Sequence, residues 1–74
     1  RIGRVQDLPE QTISKVSSFL NDNRDNVVES ALRALGKIGS RQILPEQITS
    51  QVIMFLDHKY GFIIESAIRA VEEI

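Results

Sequence analysis

Apolar residues recur every three or four positions along most of the chain, which is the period of an amphipathic helix. One such stripe, after Pro9, contains Ile13, Val16, Ser17 and Leu20. A second stripe, after Asp25, contains Val27, Ala31, Ala34, Leu35 and Ile38. The pattern then repeats, and no stretch alternates as a strand would. We therefore expect an all-α protein with four helices, near residues 9–21, 25–38, 45–57 and 61–74.

Residues typical of helix ends lie at the borders of these segments. Pro9 and Pro45 suit the first position of a helix, where the missing N–H makes no intrahelical bond. The polar run from Asn21 to Asp25 is typical of a turn and offers N-cap side chains. Gly39 is expected to end the second helix as a left-handed C-cap.

The chain contains an internal repeat of 36 residues, first visible as LPEQ at positions 8–11 and again at 44–47. Residues 8–38 and 44–74 are identical at 14 of 31 positions, without a gap. The match extends backwards, because Ile2-Gly3 corresponds to Ile38-Gly39. We expect one domain, with the tail of a preceding unit at 1–7, repeat 1 at 8–39 and repeat 2 at 40–74, cut from a longer array.

A characteristic series of residues runs through the first unit: Leu20-Asn21-Asp22, then Val27, then Ala31, then Ala34-Leu35-Gly36-Lys37-Ile38-Gly39. It closely resembles a HEAT repeat, and more narrowly the HEAT-like repeats of the phycobilisome-lyase type. The resemblance implies an α-solenoid, a HEAT/armadillo-like superhelix of two stacked helical hairpins. The family usually has arginine where Val28 and Ile64 stand. The alternative is a closed up-down four-helix bundle, in which the first helix would pack on the fourth.

The repeat also predicts which residues are buried. The expected core consists of Phe19, Leu20, Val27, Ala31, Leu35, Phe55, Leu56, Ile63 and Ala67, with Ala70 and Val71 on the inner stripe of the last helix. Repeat 2 can cover Val28 and Leu32 of repeat 1, whereas nothing in the chain covers their counterparts Ile64 and Ile68. We expect Ile64 and Ile68, with Tyr60, to contact another copy, further repeats or a partner.

Ser17 is a polar residue on the inner stripe of the first helix, where repeat 2 has Ile53. Its hydroxyl should donate a hydrogen bond to a carbonyl one turn back. We expect Ser17→Ile to be stabilising or neutral.

Composition excludes several classes of function. The 74 residues are 42% hydrophobic and 26% charged, which is typical of a folded soluble domain. There is no cysteine, and the single histidine, His58, is expected to be an ordinary surface side chain in a turn. A net charge of −1 argues against nucleic acid, and no apolar run could span a membrane. We expect a cytoplasmic protein with no cofactor, metal site or catalytic residues.

The exposed faces of the second and fourth helices are the candidate binding surface. In the HEAT family these helices line the concave side, which implies partner contacts from the residues on that face, namely Asn26, Glu29, Arg33, Phe62, Glu65 and Arg69. The competing interpretation of Glu29–Arg33 and Glu65–Arg69 is a solvated (i, i+4) ion pair on each helix. Phe62 is the strongest candidate contact, because aromatic residues are favoured at interfaces.

The expected function is therefore protein–protein interaction, as a scaffold without catalysis of its own. One alternative is an accessory domain of a bilin-lyase-type or other enzyme, which the family resemblance implies. A nucleic-acid-binding HEAT-like domain is a third hypothesis. It is disfavoured because its concave face would contain Glu29, Glu65, Glu72 and Glu73.

Overall fold

The computed structural model describes residues 8–74, and the expected tail of a preceding unit at residues 1–7 lies outside this range. Four helices follow one another: α1 (Glu10–Ser18), α2 (Asp25–Gly39), α3 (Glu46–Met54) and α4 (Gly61–Glu73). Single 3-10 turns, Phe19–Asn21 and Phe55–Asp57, extend α1 and α3. No strand occurs in the described part of the chain, which confirms the prediction of four helices and an all-α fold.

Both prolines lie one position earlier than predicted. Pro9 and Pro45 have extended ψ angles of 153° and 145° and occupy the N-cap position, so the helices begin at the following glutamate. The carbonyl of Pro9 accepts hydrogen bonds from the N–H groups of Thr12 and Ile13, at 3.0 and 3.2 Å. Because a cap residue needs its carbonyl and not its N–H, proline serves well there.

Gly39 does not form the predicted left-handed C-cap. It is the last residue of α2, and the following Ser40 is still right-handed, with φ −76° and ψ −15°. Glycine is favoured here by space: a Cβ atom at Gly39 would lie 2.5 Å from Cγ1 of Ile74 and 3.1 Å from Cδ1 of Leu44. Gly39 therefore lets the end of α4 and the connector pack against α2.

The helices form two antiparallel hairpins that meet along α2 and α4. α1 packs on α2, α3 packs on α4, and the most extensive contact is between α2 and α4. α1 and α4 do not pack extensively on each other within residues 8–74. At the closest point, a Cβ atom on Gly36 would lie 2.9 Å from Cα of Ala70. The α2–α4 contact is thus the main interface between the repeats.

A single hydrophobic core lies in and between the two hairpins. Its fully or nearly buried members are Ile13, Leu20, Val28, Ala31, Leu32, Leu35, Leu44, Ile48, Val52, Ile63, Ala67 and Ala70. The central α2–α4 layer contains the best-buried large side chains, Leu32, Leu35 and Ile63. Burial of these aliphatic groups stabilises the hairpins and their contact together.

The predicted core is confirmed at Leu20, Ala31, Leu35, Ile63 and Ala67. Other predicted core residues are more exposed. Phe19 is 39% exposed, Val71 is 40% exposed, and half-buried positions are found at Val27, Ala34, Ile38, Phe55 and Leu56. Phe19 and Val27 lie on the side of repeat 1 that faces away from repeat 2, and Val71 lies on the outer side of repeat 2. Their repeat counterparts Phe55, Ile63 and Leu35 are better buried, because these face the other hairpin.

The predicted difference between the two second helices is confirmed. Val28 and Leu32 are buried, whereas Ile64 is half-buried and Ile68 is 45% exposed. Equivalent residues therefore have different surroundings because only repeat 1 is followed by another hairpin in residues 8–74.

The side chain of Gln42 connects the segments that precede the first helix of each repeat. Its Oε1 accepts the N–H of Leu8 at 2.8 Å, and its Nε2 donates to the carbonyl of Leu8 at 3.2 Å. Leu8 begins repeat 1, and Gln42 lies two residues before its counterpart Leu44. The paired hydrogen bonds therefore hold successive repeats in register at their N-terminal ends.

The predicted hydrogen bond of Ser17 is confirmed, since its hydroxyl donates to the carbonyl of Ser14 at 2.9 Å. The site is not the inner stripe, however. Ser17 is half-buried and its counterpart Ile53 is 48% exposed. Both residues lie on the side of their own hairpin where the next repeat would stack. Repeat 2 partly covers this side at Ser17, whereas nothing in residues 8–74 covers it at Ile53.

We expect Ser17→Ile to raise the free energy of unfolding, by up to about 1 kcal/mol, because a half-buried aliphatic group replaces a hydroxyl that bonds only within its own helix. Urea denaturation measures the change. A loss of more than about 1 kcal/mol would show that isoleucine does not fit beside α3 and would contradict this assignment.

Candidate functional site

A shallow groove runs between α2 and α4 on the side away from α1 and α3. We call it the charged groove; it is lined by Arg33, Lys37, Ser66, Arg69, Ala70 and Glu73. The two helices can form it because Gly36 lets their backbones approach closely at Ala70. The spacing of residues 33 and 37 on α2, and of 66, 69, 70 and 73 on α4, places these side chains on the facing edges of two helices.

Cations dominate the groove. Arg33, Lys37 and Arg69 line it, with Glu73 as the acidic lining residue. The ion pair in repeat 1 is long, because Arg33 Nη2 lies 3.5 Å from Glu29 Oε2, and the Arg33 side chain is 66% exposed. Glu65 and Arg69, the equivalent pair in repeat 2, are not within ion-pair distance of each other. An exposed pair at 3.5 Å contributes little stability, so Arg33 and Arg69 are both available to an incoming group.

The structure brings together part of the predicted contact set. Arg33 and Arg69 line the charged groove, and Glu29 adjoins it through Arg33. The remaining predicted contacts, Asn26, Phe62 and Glu65, are exposed but lie outside the lining. Lys37 and Glu73 were not among the predicted contacts, and they belong to the groove because the α2–α4 crossing places their helix ends together.

An aromatic stack leads along the second inter-helix turn to α4. The ring centroids of Phe55 and His58 are 5.8 Å apart, those of His58 and Tyr60 5.4 Å, and those of Tyr60 and Phe62 5.9 Å. Lys59 Nζ lies 5.3 Å from the Tyr60 centroid. The stack holds Tyr60 and Phe62 in place while leaving them 40% and 45% exposed. Two exposed aromatic rings thus lie at the start of α4.

His58 lies in the second inter-helix turn, as expected, and also has a structural role there. It is half-buried, and its Nδ1 accepts the N–H of Tyr60 at 3.1 Å. In repeat 1 the same bond is made by Asp22, whose Oδ1 accepts the N–H of Arg24 at 2.8 Å. Because Asp22 and His58 are separated by one repeat, alignment of the two turns could have shown that His58 replaces a turn-forming aspartate.

The first turn is reinforced by an ion pair. Arg24 Nε lies 2.9 Å from Asp22 Oδ1 and Arg24 Nη2 lies 3.1 Å from Oδ2. The side-chain hydrogen bonds from Arg24, followed by that from its backbone N–H, lower the pKa of Asp22 from 3.8 to about 2. The same carboxylate raises the pKa of Arg24. Asp22 therefore prefers to be ionised in the folded state.

This pKa predicts how acid affects the turn. A carboxyl whose folded pKa is lowered stabilises the fold above its unfolded pKa, and the contribution is lost as the pH falls through the folded pKa. We expect the difference in unfolding free energy between wild type and Asp22→Asn to be constant above about pH 5 and to shrink between pH 4 and pH 2. Urea denaturation across this range measures it, with Asp57→Asn as the control. A difference that is independent of pH would contradict the ion pair.

An open pocket of about 390 Å³ lies between the C-terminal ends of α1 and α3. Its lining residues are Leu20, Asn21, Gln51, Met54, Phe55, Asp57 and His58. The sequence pattern did not predict it, because it depends on the separation of the two first helices. The lining is mostly apolar.

Residues 8–74 contain no group of three or more histidine, aspartate or glutamate side chains that could hold a metal ion. None of their helices is long and apolar enough to cross a membrane.

Comparison of the chain with protein-family models, with curated proteins and with solved structures finds no match. The chain's own residues and geometry therefore carry the functional argument.

Proposed function

We propose that this chain is a pair of HEAT-like repeats stacked as part of an α-solenoid, and that it acts in the cytoplasm as a protein-interaction module without catalysis of its own. The proposal is supported by the agreement of repeat and structure. α1 and α3 begin 36 residues apart, as do α2 and α4, and the two second helices pack side by side. A direct repeat whose hairpins meet in this way is the building unit of a solenoid.

The observation that supports binding most strongly is the charged groove. Arg33, Lys37 and Arg69 converge between α2 and α4, and the exposed rings of Tyr60 and Phe62 lie near the start of α4. Arginine side chains bind carboxylates and backbone carbonyls, and aromatic rings supply apolar contact area. A suitable partner is an extended protein segment with acidic side chains and an apolar residue next to them.

An NMR titration tests this proposal. The 15N-labelled chain is titrated with a hexaglutamate peptide at low salt, and amide shifts are followed. We expect shifts concentrated at Arg33, Lys37, Arg69 and Glu73, which disappear in Arg33→Glu/Arg69→Glu. Arg41→Glu is the matched control, because Arg41 is an exposed cation on the connector. Shifts that are absent, or equally reduced in the control, would contradict the proposed site.

A second titration distinguishes binding of a protein segment from binding of nucleic acid. A single-stranded oligonucleotide carries phosphates that arginine also binds, and its affinity would fall steeply with salt. We expect the acidic peptide to shift the charged groove and the oligonucleotide to bind more weakly, since Glu29, Glu65 and Glu73 lie on or beside this face. Tighter binding of the oligonucleotide would reverse the assignment.

A further inference from the structure

Within residues 8–74, nothing covers an apolar surface of repeat 1 on the side away from repeat 2. We call it the head face; it is lined by Val16, Phe19, Val27, Ser30, Ala31 and Ala34. It forms a shallow groove between α1 and α2, and Phe19 in it is 39% exposed. The packing of repeat 1 against α3 and α4 does not fill this groove.

The repeat shows what kind of surface the head face fits. Its members correspond, 36 residues later, to Val52, Phe55, Ile63, Ser66, Ala67 and Ala70. In repeat 2 these residues are buried, except for the half-buried Phe55, in the hairpin and its contact with repeat 1. Even Ser66 is only 5% exposed, with its hydroxyl donating to the carbonyl of Phe62 at 3.1 Å. The surface of repeat 2 that corresponds to the head face is thus already covered, by repeat 1.

The surface that covers it is the side of repeat 1 that faces repeat 2. This side consists of apolar residues and one glycine. Leu20, Val28, Leu32 and Leu35 are buried there. Gly36 is the point of closest approach, since a Cβ atom on it would lie 2.9 Å from Cα and 3.3 Å from Cβ of Ala70. Ala70 is the counterpart of Ala34 on the head face. A helix that docks on the head face in the same way therefore needs glycine opposite Ala34.

The chain's own outer surface on repeat 2 lacks this glycine. We call that surface the tail face; its members are Leu56, Ile64, Ile68, Val71 and Glu72, which correspond to Leu20, Val28, Leu32, Leu35 and Gly36. The tail face is apolar and partly exposed, but it has glutamate in place of the glycine. In a second copy, the Cβ atom of Glu72 would lie against the Ala34 backbone, at the point where α2 and α4 leave no room for a side chain.

We propose that the head face is a docking site for a helical hairpin that has glycine at the position of Gly36, and that Glu72 prevents a second copy of this chain from occupying it. Ile64 and Ile68 were expected to contact another copy, further repeats or a partner. The proposal leaves further repeats or a partner, because Glu72 lies beside them on the tail face. The proposal concerns a different surface from the charged groove and holds whether or not that groove binds a partner.

The test converts the chain into its own partner. Glu72→Gly supplies the missing glycine, and adding Ala34→Glu closes that variant's head face so that it cannot polymerise. Wild type offers an open head face and a tail face blocked by Glu72. We expect the double variant and wild type to form a 1:1 complex in sedimentation velocity, at concentrations at which each alone is monomeric. Glu72→Gly alone should form longer, concentration-dependent oligomers, because a head-to-tail contact does not close.

A matched control separates glycine from charge. Glu73→Gly/Ala34→Glu removes the same charge from the same helical turn but changes a residue whose counterpart, Lys37, is exposed at the edge of the α2–α4 contact and not at the closest approach of the backbones. We expect no complex between it and wild type, with circular dichroism verifying that all variants are helical. Three results would overturn the proposal: no 1:1 complex from folded proteins, an equal complex with the control, or self-association of wild type that Ala34→Glu abolishes.

Discussion

Leu32→Ala should lower the free energy of unfolding by about 2–5 kcal/mol, whereas Ile68→Ala should lower it by less than about 1 kcal/mol. The two residues are separated by one repeat and occupy the same position in α2 and α4. Leu32 is fully buried at the contact between the hairpins, so its truncation leaves a cavity. Ile68 is 45% exposed on the tail face, so its truncation removes a group that already contacts water.

Urea denaturation of both variants, followed by circular dichroism in the cold, measures this pair. Because a domain of this size has only about 5–15 kcal/mol of stability at most, Leu32→Ala is expected to be partly unfolded near room temperature. Equal losses in the two variants would mean that the two second helices have equivalent surroundings, as in a symmetric bundle. That result would contradict the stacking of repeat 2 on only one side of α2.

Gly36→Ala should destabilise the protein by about 1–3 kcal/mol, although alanine is the better helix former by about 1 kcal/mol. The added methyl group would lie 2.9 Å from Cα of Ala70 and 2.6 Å from Oε1 of Glu73. The glutamate side chain can move, but the Ala70 backbone can give way only if α2 and α4 separate. The loss of packing along the interface therefore exceeds the gain in helix propensity.

Gly61→Ala is the matched control for this prediction. Gly61 is exposed at the start of α4, and a Cβ atom there would have no neighbour within 4 Å. We expect it to stabilise the protein by about 0.4–1 kcal/mol, because alanine restricts the unfolded chain. Thermal and urea unfolding should show a lower free energy of unfolding for Gly36→Ala and a higher one for Gly61→Ala. A stabilising Gly36→Ala would show that the helices are farther apart than described.

The helix positions could be predicted because the repeat reports them twice. Every predicted helix is confirmed, and the differences are confined to the ends, where 3-10 turns follow α1 and α3. Gly39 shows the limit of this approach. A glycine at the end of a helix usually indicates a left-handed cap, but here it provides room for Ile74 and Leu44, which only the packed structure brings together.

Burial was harder to predict, because it depends on which side of a hairpin has a neighbour. Phe19 and Phe55 are identical in the repeat, but Phe19 lies on the open head face and Phe55 faces repeat 1. The first helices also use different positions: Ile13 and Ile48 are both buried, although their repeat counterparts are Thr49 and Thr12. The two threonines are less buried than the isoleucines, since Thr12 is exposed and Thr49 is half-buried.

The candidate site was predictable in part. Helical periodicity placed Arg33 and Arg69 on the exposed faces of α2 and α4, and both line the charged groove. The inclusion of Lys37 and Glu73 follows from the crossing of the two helices at Gly36, which no pattern within one helix specifies. The role of His58 was missed for a different reason: a histidine was judged as a lone side chain rather than as the counterpart of Asp22.

The stacking of two equivalent hairpins can be measured in solution by nuclear Overhauser effects. We expect cross-peaks between the α protons of Gly36 and the methyl group of Ala70, since these residues mark the closest approach of α2 and α4. We also expect none between the α1 side chains of Val16 and Phe19 and the methyl groups of Ile68 and Val71. Cross-peaks from α1 to α4, with none between Gly36 and Ala70, would show a closed bundle and contradict the stacking of the two hairpins.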